Sequence, residues 1–270
     1  GMILAGSPTQ NVGYEVLSDL PKERHPERML SLDKTKDRQA LAEWLAGQKG
    51  LLSWKLDGLT IVLTYEEGKL VKALTRGNGD VGEVITNNAR VFANVPVEIP
   101  HKGRRGEAVI KYSDFERINA SIGNTDAKYK NPRNLCSGSV RQLNNRITAE
   151  RNVNFFAFSL VEAAGVDFAG SRQKQMMWLC DQGFDVVEYR MVDAENVVDA
   201  VGYFEAAVAD NDLPSDGLVL SLDDIDYSRS LGTTAKFPRD SIAFKWQDQV
   251  AETTLKEIEW SASRTGLINP

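Results

Sequence analysis

Cysteine and histidine are nearly missing from this chain of 270 residues, which has two of each. Cys136 and Cys180 lie far apart with no C-x-x-C spacing. That argues against a disulfide framework or a structural zinc site and makes the reducing cytoplasm the expected compartment. His25 and His101 are too few for a histidine-rich metal cluster or for most histidine-based triads. No apolar run approaches the roughly 18 residues that span a bilayer, so no membrane contact is expected. Positive charge is not in excess either: 32 Lys and Arg face 38 Asp and Glu, a net charge of −6. Any contact with nucleic acid must therefore come from a local basic patch.

What is present is enough apolar material, 42% of residues, for a substantial core. Residues 1–32 are rich in Pro, Gly and charge and read as an extended arm. Asp33 is placed to cap a helix over 35–48. Three β-rich runs follow at 51–57, 59–65 and 69–76, the last two joined by the turn "EEGK". A short helix is expected within 82–95. A strand over 106–112, a Ser113-capped helix and a helix from Pro132 through Arg133 and Arg141 come next. Strand 153–163, helix 171–182, strand 184–191, helix 194–210 and strands 217–222, 241–247 and 252–261 complete the chain. Mixed elements with hairpin-linked strands predict an α+β fold with antiparallel or mixed sheets rather than a regular parallel βαβ sheet.

One position stands out. In strand 51–57 alternation puts Leu52, Trp54 and Leu56 on one side and Ser53, Lys55 and Asp57 on the other, just before Gly58. A lysine and a carboxylate thus share a face at a rigid strand end. A lysine nucleophile must present a neutral amine, and burial or neighbouring cations favour that form. On its own, K-x-D-G is common enough in chains of average composition that a solvated surface lysine is the simpler reading.

The motif is not isolated. "KLDG", "LTYEEGKLVKALTRGNGDVGEVITNNAR", "NPRNLCSGSVRQL", "LPSDGLVLSLDD" and "LGTTAKFPRDSIAFKWQ" occur in that order, preceded by "SPTQNVG" and "MLSLDK". Together they resemble the adenylation domain of bacterial NAD-dependent DNA ligases, from about residue 7 to the end. The resemblance implies a covalent nucleotidyltransferase fold in which Lys55 attacks the α-phosphate of NAD and holds AMP, helped by Mg²⁺. AMP then passes to the 5′-phosphate of nicked double-stranded DNA. It further implies catalytic roles for Asp57, Glu107, Asp216 and Lys245, with Glu107 and Asp216 as metal ligands. Ser31, Leu32, Ser53, Arg76, Glu107 and Lys245 would contact the nucleotide, and Arg133 and Arg141 the DNA phosphate. Each also has a plainer reading: strand-end and helix-surface arginines are usually solvated, and a buried Leu or capping Ser looks the same.

Three positions depart from the pattern. Ser53 replaces a glutamate that the resemblance places against the adenine amino group. Ser221 replaces a lysine, which removes a cation from the pocket. An expected arginine near residue 210 is replaced by acid, at Asp210. The expected organisation is an arm (1–32) trailing a missing subdomain for nicotinamide mononucleotide, the adenylation domain (33–250) and a truncated first strand of an oligonucleotide-binding barrel (251–270). A monomer is expected. The leading function is a ligase adenylyltransferase module. The alternatives are a degenerate, non-catalytic ligase-like protein that binds nucleotide or DNA, and a different covalent nucleotidyltransferase.

Overall fold

The alternation in the first long strand decides how the chain packs. In the computed structural model Leu52, Trp54 and Leu56 are buried while Ser53, Lys55 and Asp57 stay half-exposed. The structure describes residues 19–99, 104–122, 128–246, 261–262 and 268–269, with 104–108 and the final four as backbone only.

The first elements are β1 (Lys22–Arg24), β2 (Asp33–Thr35), α1 (Arg38–Leu45), β3 (Gly50–Leu56), β4 (Leu59–Glu66) and β5 (Lys69–Thr75). Then come β6 (Val81–Glu83), α2 (Thr86–Ala89), β7 (Arg104–Val109), α3 (Tyr112–Ser121), α4 (Pro132–Val140) and α5 (Asn145–Glu150). They are followed by β8 (Asn154–Ser159), α6 (Arg172–Asp181), β9 (Tyr189–Val192) and α7 (Val197–Ala207). The remainder is β10 (Ser215–Leu222), α8 (Ile225–Leu231), β11 (Ser241–Lys245), β12 (Ser261–Ala262) and β13 (Ile268–Asn269).

Two sheets organise these pieces, in the order β2-β11-β10-β3-β9 and β5-β4-β7-β8. Every pairing within them is antiparallel except β2 with β11. The fold is α+β, as expected. Helices α1 and α7 cover one face of the first sheet: the Trp54 indole meets Phe204 edge-on at 4.8 Å, and its Nε1 donates to Glu188 at 2.9 Å. Burying the indole while pairing its N–H avoids the cost of an unmatched polar group. Residues 185–188 stitch the sheets together. Ala157 of β8 bonds to Asp185 and Val187, and the Trp54 N–H reaches the Glu188 carbonyl.

Several expectations are corrected. Asp33 does not cap α1 but begins β2, parallel to the distant β11; the cap is Asp37, which accepts from the Gln39 N–H at 2.9 Å. Ser113 does not cap α3; it lies inside the helix and bonds through N–H and hydroxyl to Asp212. The α4 helix ends at Val140 and leaves Arg141 as its C-cap, with α5 a separate element. Within the arm, β1 pairs with β6; residues 1–18 lie outside the described residues. Most of the expected strand 252–261 also lies outside them, and β12 pairs with β13. Among the described residues no helix is long and apolar enough to cross a membrane.

Candidate active site

The centre of the first sheet holds an irregularity beside Lys55. Leu218 and Val219 of β10 pair with Trp54 and Ser53, but the next partners are Ser215 and Leu56. Asp216 and Gly217 together therefore oppose Lys55, a β-bulge that re-aims the strand. On the other side Gly217 pairs with Lys245. Two lysines on strands β3 and β11 thus converge on the one carboxylate between them. Lys55 Nζ donates to Asp216 Oδ1 at 2.8 Å, and Lys245 Nζ donates to Oδ2. The side chains are a quarter to a third exposed, at 25%, 28% and 31% for Lys55, Lys245 and Asp216. Burial works to raise the pKa of Asp216, but the hydrogen bonds and charges of Lys245 and Lys55 outweigh it and hold the carboxyl below its ordinary value.

Gly217 makes this bulge possible. Its φ is +151°, and a Cβ there would sit 2.0 Å from the Phe244 carbonyl oxygen, next to Lys245. Gly217→Ala is expected to cost about 1–3 kcal/mol in backbone strain. Thermal denaturation should show a Tm lower by several degrees. An unchanged Tm would mean that β10 and β11 can separate here without penalty.

At the rim Asp57 accepts from Arg133 at 2.7 Å, while the Asp57 N–H bonds to the Pro214 carbonyl. The Tyr112 N–H bonds to Asp212, two residues earlier in the same loop. Burial, and then the Asp57 charge, push the Tyr112 phenol up. Tyr112 carries no signal in the sequence, because an exposed aromatic at a helix start has no periodic signature.

A second group lies around Arg76, which donates to Ser31 Oγ at 3.0 Å and whose buried Nε has no partner among the described residues. A ribose or phosphate oxygen would relieve that unmatched donor, worth about 1–3 kcal/mol. Arg141 bonds to Glu83 at 2.6 Å, and the Glu83 N–H bonds to Thr75, the neighbour of Arg76. Arg133 and Arg141, expected within one helix, are each tied to a carboxylate of their own, Asp57 and Glu83. Glu83 was not anticipated. Leu32 is half-buried just ahead of β2. Among the described residues the Ser53 hydroxyl makes a long contact, 3.5 Å, to the Val219 carbonyl, and Ser221 shares a hydrogen bond with Ser241 at 2.9 Å.

The backbone of Glu107 lies in β7, in register with Thr60 and Phe156, and so in the second sheet. Its side chain lies outside the described part. Mg²⁺ asks for carboxylate oxygens that are free to coordinate it. Both oxygens of Asp216 accept from lysines, and among the described residues no group of three Cys, His, Asp or Glu side chains is gathered. The described residues by themselves do not fit the expected ion.

Residues 17–249 match the family described as the NAD-dependent DNA ligase adenylation domain. The chain is 65% identical over 273 residues to a DNA ligase of Lachnoclostridium phytofermentans, and 64% identical over 273 residues to one of Ruminiclostridium cellulolyticum. Each alignment covers 100% of this chain and 42% of the relative. Among solved structures, an archaeal ATP-dependent RNA ligase aligns over 81% of this chain and 48% of that one, at 13% identity and a TM-score of 0.47.

Proposed function

Because the chain belongs to the NAD-dependent DNA ligase adenylation domain family, we propose that Lys55 takes AMP from NAD as a lysyl phosphoramidate. The convergence of Lys55 and Lys245 on Asp216 carries this reading. In the proposed step the Nζ lone pair attacks the α-phosphorus and a P–N bond forms. The P–O bond to nicotinamide mononucleotide breaks, and that fragment leaves with the bonding electrons. The Lys55 ammonium gives up one proton to expose the lone pair and the nitrogen gives up a second as the phosphoramidate forms, both to solvent, which the part-exposed side chain reaches.

Asp216, held in its ionised form by two ammonium groups, is poor as a base and good as an anchor. It fixes both lysines where a phosphate will arrive, and such fixed charge needs little reorganisation during the reaction. An incoming phosphate competes with Asp216 for both lysines, and release of Lys55 from the carboxylate lets its nitrogen lose a proton and attack. Arg76 and Ser31 would meet the ribose side of the nucleotide. Asp57 would steer Arg133, which in turn would meet a 5′-phosphate of nicked DNA when AMP is passed on; Arg141 would add a second phosphate contact. The chain spans 42% of the length of the DNA ligase relatives it matches, and sealing is proposed for proteins of that full length.

One observation favours a second reading, a member that binds nucleotide without efficient chemistry. Ser221, where the resemblance has a lysine, is turned to Ser241, so that position brings no third cation to the pair. Intact mass after incubation with NAD or ATP in magnesium buffer separates the two. An AMP adduct that maps to Lys55 supports catalysis, and the donor that forms it identifies the substrate. No adduct from either donor would favour the binding role.

A further inference from the structure

We infer that His25 is a positioning residue: its ring fastens the loop that carries Arg76 and so sets where the guanidinium meets a nucleotide. This rests on the proposed contact between Arg76 and AMP. The histidine takes no part in the chemistry; what marks it is a set of bonds to one short loop. β1 pairs with β6 as far as Arg24 and Val81, and the His25 N–H continues the ladder onto the Asp80 carbonyl at 2.9 Å. The ring then reaches the start of the loop, where Nε2 lies 3.0 Å from the Thr75 carbonyl oxygen and 3.1 Å from that of Arg76. Carbonyl oxygens only accept, so Nε2 carries the hydrogen and shares it between the two.

The loop leaves room for the ring. A Cβ on Gly82 would lie 1.8 Å from the Thr75 carbonyl oxygen and 3.0 Å from His25 Nε2. Between Thr75 and Asp80 the chain turns tightly, with Gly77 at φ +56° and Gly79 at φ +97°, and the Gly79 N–H bonds to the Arg76 carbonyl at 3.0 Å. Farther along the arm the Met29 N–H bonds to the Gly79 carbonyl at 2.9 Å, and Ser31 Oγ accepts from the Arg76 guanidinium at 3.0 Å. The arm therefore holds Arg76 twice, by its main chain through His25 and by its side chain through Ser31.

An arginine fixed in advance loses less conformational freedom when a ligand arrives, and the saving appears as affinity. Other contacts of the arm do not touch Arg76. Glu23 is bonded to Lys72 of β5, and Arg28 lies 3.4 Å from Asp80 with both side chains more than half exposed. They attach the arm without setting the guanidinium, which makes Glu23→Ala the control for a general loosening.

The test is calorimetric binding of AMP to the whole chain, which needs no chemistry. His25→Ala is expected to bind AMP about tenfold more weakly, the loss that accompanies one net hydrogen bond. His25→Gln, whose amide N–H can donate from a similar place, should recover most of that loss, and Glu23→Ala should match the parent. Should His25→Ala fail to fold, His25→Met, which keeps bulk and lacks a donor, takes its place beside His25→Gln. A residue that acts through Arg76 has nothing left to act on in Arg76→Ala, so adding His25→Ala there should change the affinity no further. The full loss persisting in that background would overturn the inference, as would equal losses from His25→Ala and Glu23→Ala, or a His25→Gln chain as weak as His25→Ala. Parent and His25→Ala binding AMP equally would overturn it too. Binding by neither would remove it together with the nucleotide role of Arg76. The expected order of affinities with no AMP adduct from NAD would sink the lysyl chemistry and leave the positioning role standing.

Discussion

Lys55→Ala is expected to remove the AMP adduct completely. Where the nucleophile forms an obligatory covalent intermediate, its loss costs on the order of 10⁶ in rate, which here means a mass spectrum without adduct at any time. The fold should survive. Lys55 projects from the face opposite Leu52 and Trp54, so no cavity opens in the core. Asp216 keeps Lys245 as its partner, so no carboxylate is stranded. A part-exposed ion pair of this kind contributes about 1 kcal/mol or less, and the Tm should move by only a few degrees. Lys55→Arg sharpens the test, since a guanidinium stays charged and is no nucleophile. It should restore the ion pair and remain without adduct. An adduct on either variant would place the nucleophile elsewhere, and unfolding of Lys55→Ala would show that its side chain supports the core.

That prediction depends on a face that is legible in the sequence alone. The alternation of Leu52, Trp54 and Leu56 with Ser53, Lys55 and Asp57 is a local property with a period of two, and the sheet realises it. Lys245 between Phe244 and Trp246 is readable in the same way; Phe244 is buried, and Trp246 packs edge-on at 5.7 Å from it. What brings the two lysines together is not readable. "SDG" before an apolar run has the composition of a turn, yet in the sheet Asp216–Gly217 is a bulge whose existence depends on the registers of β10 with both β3 and β11. Asp33 shows the same limit. Its position ahead of a helical pattern matches a cap, but pairing with a strand more than 200 residues away claims it. The short helices α5 and α8, of 6 and 7 residues, are too brief for periodicity to mark. Glu83 and Tyr112 acquire their roles only through partners distant in sequence.

Asp216→Asn should be more damaging to the structure than loss of the lysine, although it changes fewer atoms. Lys55→Ala leaves one cation and one anion, whereas Asp216→Asn leaves two ammonium groups facing a neutral amide. Removing one partner of a fully buried pair costs about 3–5 kcal/mol. Partial exposure, 25% to 31% here, reduces this to about 1–2 kcal/mol. Salt should recover more stability in the variant than in the parent, because it screens the new repulsion. Adduct formation should fall by about 10²–10³, the usual loss when one preorganised charged contact is removed from a site. The pH dependence gives the most specific signature. The Asp216 carboxyl lies below its ordinary value near 3.8 in the folded state, so as pH falls the unfolded chain takes up its proton first. The stability due to this group is therefore complete above the ordinary value and is lost as pH falls through the folded value. The parent should lose stability steeply below about pH 4, and Asp216→Asn should lose the part of that slope which this carboxyl supplies. Parallel acid-denaturation curves for parent and variant would show that the lysines do not hold Asp216 ionised, and the anchoring role would fall with that.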